Sequence, residues 1–77
     1  MVNRQWKDTE QGCFYYYNES NGKIVGQVYN LAHTKIWGSK IPISHNEEAY
    51  LGQFIDSNFA KRSIEEYWHI QDRTLLE

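Results

Sequence analysis

Residues 56–77 read DSNFAKRSIEEYWHIQDRTLLE and carry the longest helical pattern in the chain. Mostly apolar residues recur here at steps of three and four, which is the spacing of one helix face. These positions are Ala60, Ile64, Tyr67 or Trp68, Gln71 and Leu75. Asp56, Ser57 and Asn58 come first and can accept hydrogen bonds from the free amides of a first helical turn. Because no proline or glycine interrupts residues 58–77, the sequence predicts one amphipathic C-terminal helix over residues 56–77.

The residues before this helix are predicted to form short strands. Residues 11–17 and 23–31 are rich in aromatic and β-branched side chains, which favour strands. The dipeptide Asn21-Gly22 between them tolerates the positive φ angles of a hairpin turn. Glycine at position 26 indicates a bulge, or a place where a bulky neighbour lies close to the backbone.

Two further strands are predicted before the helix, at residues 34–41 and 48–55. Pro42 ends the first of them, because proline cannot donate a hydrogen bond to a neighbouring strand. In the second, Gly52 is expected to form a bulge that turns both Leu51 and Phe54 to one face. The connections are short, which favours antiparallel neighbours because parallel pairs need long crossovers.

Together these elements predict an α+β fold in a single domain, residues 1–77. Residues 1–10 are expected to be a loose N-terminal arm held by Trp6, residues 11–55 to form the strands and residues 56–77 the helix. The expected sheet is a four-stranded antiparallel meander, β-β-β-β-α, with the helix on one face. Phe54, Ile64 and Trp68 are assigned to the core.

The composition restricts how so short a chain is stabilised. Its one cysteine, Cys13, excludes an internal disulfide, and its 77 residues allow only a modest core. Three Trp, six Tyr and three Phe supply aromatic packing instead. The N-terminal residues contain no apolar run of the kind found in signal peptides or membrane spans, so we expect a cytoplasmic protein.

Charge is unevenly distributed along the chain. Residues 1–43 contain five basic and three acidic side chains, whereas residues 44–77 contain three basic and seven acidic ones. The part with the strands is therefore mildly basic and the part with the helix is acidic. Such an asymmetry can orient a binding partner.

The sequence contains no pattern typical of an enzyme, a cofactor site or a metal site. Nothing around Cys13 matches the surroundings of a catalytic cysteine. His33, His45 and His69 do not have the spacing of a zinc site. Glu66 and His69 have the Glu-x-x-His spacing of carboxylate-bridged metal pairs, but such sites need a second helix. A dimer could supply one, so a metal-dependent enzyme is a third hypothesis after the two binding functions below.

The aromatic residues of the predicted strands exceed what one small core face can hold, so some of them must face outward. We predict a binding surface formed by four aromatic residues and three lysines. Its members are Tyr15, Tyr17, Tyr29, Trp37, Lys23, Lys35 and Lys40. The leading hypothesis is a small non-enzymatic interaction module without a cofactor. It would form a homodimer, or bind a protein partner, through the uncovered sheet face or an edge strand.

The alternative hypothesis is a protein that binds single-stranded nucleic acid. Exposed aromatic side chains beside lysines can stack on bases and contact phosphates. The net charge of −2 and the lack of a basic run favour a protein partner over nucleic acid.

The pattern of glycine and hydrophobic residues also resembles that of a group of short proteins from bacteriophages and marine microbes, most of them uncharacterised. The resemblance spans roughly residues 13–68. It rests on Gly22-Lys23-Ile24-Val25-Gly26-Gln27-Val28, on Trp37, on Leu51-Gly52 with Phe54, and on Ala60-Lys61. It implies strands followed by a helix and carries over no functional residue. The same order of elements occurs in single-strand-binding dimers of the transcriptional-coactivator type, a likeness of fold only.

Overall fold

The computed structural model describes residues 3–9, 12–32 and 34–76, with side chains as far as residue 74. Five strands form one antiparallel sheet in the order β1-β2-β3-β4-β5, and one helix follows them. The elements are β1 (Arg4–Asp8), β2 (Cys13–Asn18), β3 (Ile24–Asn30), β4 (Trp37–Ser44), β5 (Glu47–Phe54) and α1 (Ser57–Leu76). The α+β class and the C-terminal helix are therefore confirmed. The predicted number of strands is corrected from four to five.

The additional strand is β1, which lies within the segment predicted to be a loose arm. It pairs along its whole length with β2, from Arg4 opposite Asn18 to Asp8 opposite Phe14. Trp6 does fix this segment as expected, since its ring lies 4.6 Å from that of Tyr16. The strand is also held by its backbone and by Arg4, so the segment belongs to the sheet.

Helix α1 begins where the sequence places it. The Asp56 carboxylate accepts a hydrogen bond from the Asn58 amide at 2.7 Å, which satisfies one free donor of the first turn. Ala60 and Ile64 then face the sheet and are fully buried. Tyr67 and Trp68 continue the same face and are partly buried. The predicted buried face of the helix is confirmed as far as Trp68. The Leu75 side chain lies outside the described part.

The core lies between α1 and strands β3, β4 and β5. Its buried cluster is Val28, Ile41, Ala60 and Ile64, and partly buried residues surround it, among them Phe54 and Trp68. Gly26 has the close neighbour expected from the sequence, and that neighbour is Ile64. A bulge also forms here, because Tyr16 lies opposite Gly26 while Tyr17 lies opposite Ile24.

Two details of β4 and β5 depend on irregular pairing. Gly52 lies at the predicted bulge, with a φ of 152°, and Leu51 and Phe54 both reach the core. Pro42, however, does not end β4, which continues to Ser44. Pairing with β3 stops at Lys40, so Pro42 has a neighbouring strand only on the β5 side and its missing N–H leaves no gap in the sheet.

The described part of the chain contains one long helix, and this helix is not long and apolar enough to cross a membrane.

Candidate interaction surface

The sheet has two different faces. The face toward α1 carries Phe14, Tyr16, Val28 and Ser39, which pack against the helix or hydrogen-bond to it. Side chains alternate along each strand, so their neighbours point away from the helix. We call this second surface the open face. It comprises Gln5, Lys7, Cys13, Tyr15, Tyr17, Ile24, Gln27, Tyr29, Gly38, Lys40, Glu48, Tyr50 and Gln53.

Three of the predicted binding residues lie together on the open face. Tyr15 and Tyr17 lie two residues apart on β2 and so point to the same face. Tyr29 lies on β3, opposite Cys13 of β2. All three tyrosines are partly buried. Ile24 lies opposite Tyr17 and is 47% exposed, so it extends the apolar part of the surface.

A glycine allows Tyr29 to lie across the neighbouring strand. Gly38 is its direct partner in β4, and a Cβ at position 38 would come within 2.5 Å of the Tyr29 ring. The ring therefore occupies the space that a side chain at position 38 would fill. The ring thus covers the β4 backbone at this position and supplies contact area there.

Lys40 is the one lysine of the predicted set on this face. Its ammonium lies 5.6 Å from the centre of the Tyr29 ring and 2.9 Å from the Glu48 carboxylate. The hydrogen bond to Glu48 is the main cause of a raised Lys40 pKa, and partial burial opposes it. The lysine thus stays protonated, and its charge is balanced within the surface itself.

The other three predicted residues lie elsewhere, which corrects the composition of the predicted surface. Trp37 points toward the helix, where its ring lies 5.8 Å from that of Phe14 and packs against the core. Trp37 and Gly38 are neighbours in β4, so only one of them can face outward. Lys23 precedes β3 in an exposed turn, and Lys35 is exposed in the turn before β4, beside Asp56.

The structure adds residues that the sequence did not single out. Tyr50 is 69% exposed and lies directly opposite Lys40. Lys7 lies opposite Tyr15, in the strand that was not predicted. Gln27 lies on β3, opposite Tyr15 of β2 on one side and Lys40 of β4 on the other. Strand alternation would have placed Tyr50 correctly if the register of β4 against β5 had been known.

A concave region lies at one end of the sheet, between the β2–β3 turn, the β4–β5 turn and α1. Trp68, Val25 and Ile43 contribute its apolar lining, and Arg4, Lys23 and His45 its basic groups. Arg4 is not free to bind an anion there. Its guanidinium donates to both carboxylate oxygens of Asp72 and to Asn18, and it lies 4.7 Å from the centre of the Trp68 ring.

The described residues contain no group of histidine, cysteine or acidic side chains arranged to hold a metal ion. Glu66 and His69 are both exposed on the outer side of α1. Cys13 is partly buried on the open face, and His33 lies outside the described residues.

No protein-family model matches this chain, and no curated protein or solved structure is significantly similar to it.

Proposed function

We propose that this protein is a small non-enzymatic interaction module that self-associates through its open face. The observation that carries the proposal is that a five-stranded sheet has its single helix on one face, while the other face presents Tyr15, Tyr17, Tyr29 and Tyr50. Tyrosine supplies large contact area at low entropic cost, together with a hydroxyl for hydrogen bonds, and it is enriched at protein interfaces.

The charges of the open face support a protein partner over a phosphate backbone. Lys40 is paired with Glu48 at 2.9 Å, so its charge is already balanced. Two of the three lysines expected from the sequence, Lys23 and Lys35, lie in turns and not among the tyrosines. A nucleic-acid platform needs unpaired cations that follow the strand of phosphates.

The size of the open face suits a weak dimer. Five strands about 4.8 Å apart make a surface roughly 20 Å wide, and strands of five to eight residues make it roughly 17–26 Å long. Two such faces in contact would bury on the order of 1,000 Å² in total, at the lower end for specific interfaces. We therefore expect dissociation at low protein concentration.

Solution mass tests the proposal. Sedimentation of the 9.2 kDa chain over a range of concentrations should show a monomer that converts to a dimer. Tyr50→Ser should weaken this dimer at least tenfold, because Tyr50 is the most exposed tyrosine of the open face. Ile70→Ser is the matched control, since Ile70 is 60% exposed on the helix. A monomer at every concentration, or equal effects of the two variants, would exclude the proposal.

The alternative of single-stranded nucleic-acid binding is supported by one feature, the alternation of Lys7 and Lys40 with tyrosines on the open face. Trp6, Trp37 and Trp68 all lie on the helix side, so tryptophan fluorescence would respond poorly to a bound strand. Anisotropy of a labelled oligonucleotide is the better measurement. Binding that weakens steeply with salt and is lost in Lys7→Gln would favour this alternative.

A further inference from the structure

One row of side chains crosses the open face at right angles to the strands. Each strand contributes one residue, and each residue lies directly opposite the next. The row is Lys7, Tyr15, Gln27, Lys40 and Tyr50, in the order β1 to β5. It is the one level of the sheet at which pairing on the open face continues through all five strands without a gap.

This row is self-complementary. It reads Lys-Tyr-Gln-Lys-Tyr from β1 and Tyr-Lys-Gln-Tyr-Lys from β5. A rotation of 180° about an axis parallel to β3 places β1 of one copy over β5 of the other, and β2 over β4. Every lysine of the row then falls opposite a tyrosine, and Gln27 falls opposite its own copy.

We propose that the partner of the open face is a second copy of this chain, placed by a two-fold axis that runs along β3. The inference rests on the proposed function and specifies its partner and geometry. Lys7 would lie over Tyr50 of the partner subunit, and Lys40 over Tyr15 of the partner subunit. Each is a cation over an aromatic ring, and symmetry makes four such contacts. The two Gln27 side chains meet on the axis, where each amide can donate to the other.

The neighbouring level of the sheet fits the same axis. Cys13, Tyr29, Gly38 and Gln53 lie opposite one another across β2 to β5. The rotation sets Gly38, which the Tyr29 ring of its own copy covers, over Cys13 of the partner subunit. Cys13 is small and leaves room for that ring, so two symmetry-related contacts between Tyr29 and Cys13 flank the axis.

The distribution of charge on the open face points the same way. Lys7 lies on β1 at one side of the open face, and Glu48 lies on β5 at the other. The rotation places Lys7 of each copy over β5 of its partner, where Lys40 and Glu48 already balance each other, and so keeps the two Lys7 charges apart. A rotation axis perpendicular to the strands would instead place β1 over β1 and bring the two Lys7 side chains to the same side, where their charges repel.

Pairing through an edge strand fits the structure less well. At the β5 edge, Gly52 has a φ of 152° and the register shifts, so the edge is not a regular template for another strand. The opposite edge, β1, has only five residues, Arg4–Asp8. The open face is the more extensive contact surface.

Cysteine cross-linking tests the position of the axis. In a Cys13→Ser background, Gln27→Cys places a thiol on the axis, facing its copy across sheets about 10 Å apart. A short bismaleimide should link this variant to itself in high yield. At concentrations where sedimentation shows it to be dimeric, Tyr50→Cys in the same background should not link to itself, because its two copies are separated by four strand spacings of about 4.8 Å each. Tyr50→Cys mixed with Lys7→Cys should give a cross-linked heterodimer, although neither variant links alone.

The outcomes separate this geometry from the proposed function. The predicted pattern of links supports the axis along β3. A dimer by sedimentation in which Tyr50→Cys links to itself, and Gln27→Cys does not, would overturn the geometry and leave self-association standing. A dimer in which none of these variants links would also overturn it. A monomer at every concentration would overturn both.

Discussion

The guanidinium of Arg4 donates two hydrogen bonds to the carboxylate of Asp72, at 2.8 and 3.2 Å, across 68 positions of sequence. The pair connects the first strand of the sheet to the C-terminal half of the helix. The Arg4 side chain is only 9% exposed and that of Asp72 is 35% exposed. Water therefore screens this ion pair less than it would a pair on the open surface.

Acid should remove the contribution of this pair to stability. The hydrogen bond from Arg4 is the main cause of a lowered Asp72 pKa, so the folded protein binds the proton of Asp72 less readily than the unfolded chain does. The stabilisation is present at neutral pH and is lost as the pH falls through the pKa of Asp72 in the folded state. Urea unfolding at pH 7 and below about pH 4 should show this loss.

The variant Asp72→Asn should lower the free energy of unfolding at pH 7 by on the order of 1 kcal/mol, because the pair is partly exposed. It should lose less stability on acidification than the parent does. Glu66→Gln is the control, since Glu66 is an exposed carboxylate on the same helix. Equal pH dependence in the parent and in Asp72→Asn would show that the ion pair does not stabilise the fold.

Gly26→Ala should destabilise the protein, although alanine usually stabilises a strand relative to glycine. A Cβ at position 26 would lie 2.6 Å from Cγ2 of Ile64, and Ile64 is fully buried. Overpacking of this kind costs about 1–3 kcal/mol. Thermal unfolding of Gly26→Ala in the parent and in an Ile64→Ala background tests the cause. The substitution should cost less when Ile64 is already shortened, and an equal cost in both backgrounds would point to the backbone instead.

Ser39 and Ser63 should respond unequally to replacement. Ser39 is fully buried, and its hydroxyl lies 2.9 Å from that of Ser63. Ser63 donates to the Ala60 carbonyl at 2.6 Å, so Ser39 is the donor to Ser63. Ser63→Ala leaves the Ser39 hydroxyl buried without a partner, at a cost of about 1–3 kcal/mol. Ser39→Ala should cost less, and the double variant should recover part of the loss in urea unfolding. A double variant less stable than Ser63→Ala would show that Ser63→Ala does not leave the Ser39 hydroxyl unsatisfied.

The parts of the fold that could be predicted are those set by local sequence. The helix was expected over residues 56–77 and is found at Ser57–Leu76, because its periodicity and its capping residue Asp56 are close in sequence. The bulge at Gly52 could be predicted for the same reason, because the glycine and its neighbours are close in sequence. Strand β1 was missed because what holds it is distant. Trp6 contacts Tyr16, and Arg4 contacts Asp72, and no short stretch of sequence displays either contact.

The same distinction applies to the open face. Alternation along β2 grouped Tyr15 with Tyr17, and both lie on one face of the sheet. Trp37 is predicted with them because the aromatic residues of the strands exceed what one core face can hold, and its own strand gives no indication of the face it takes. The Trp37 orientation follows from the pairing of Tyr29 with Gly38. The Tyr29 ring occupies the outward position at Gly38, so the adjacent residue, Trp37, points to the helix side. Register between strands is set by packing, so local patterns could not supply it.

Ile64→Asp should abolish cooperative unfolding. Ile64 is fully buried in the cluster with Val28, Ile41 and Ala60, so a carboxylate there would have no partner and no access to water. Burying an unpaired charge costs several kcal/mol, comparable to the whole stability of a domain of this size. Ile70→Asp is the matched control, because Ile70 lies on the same helix but is 60% exposed. Circular dichroism during heating should show a sigmoidal transition for the parent and for Ile70→Asp, and a gradual change without a transition for Ile64→Asp. If Ile64→Asp unfolded like the parent, the packing of α1 against the sheet described above would be wrong.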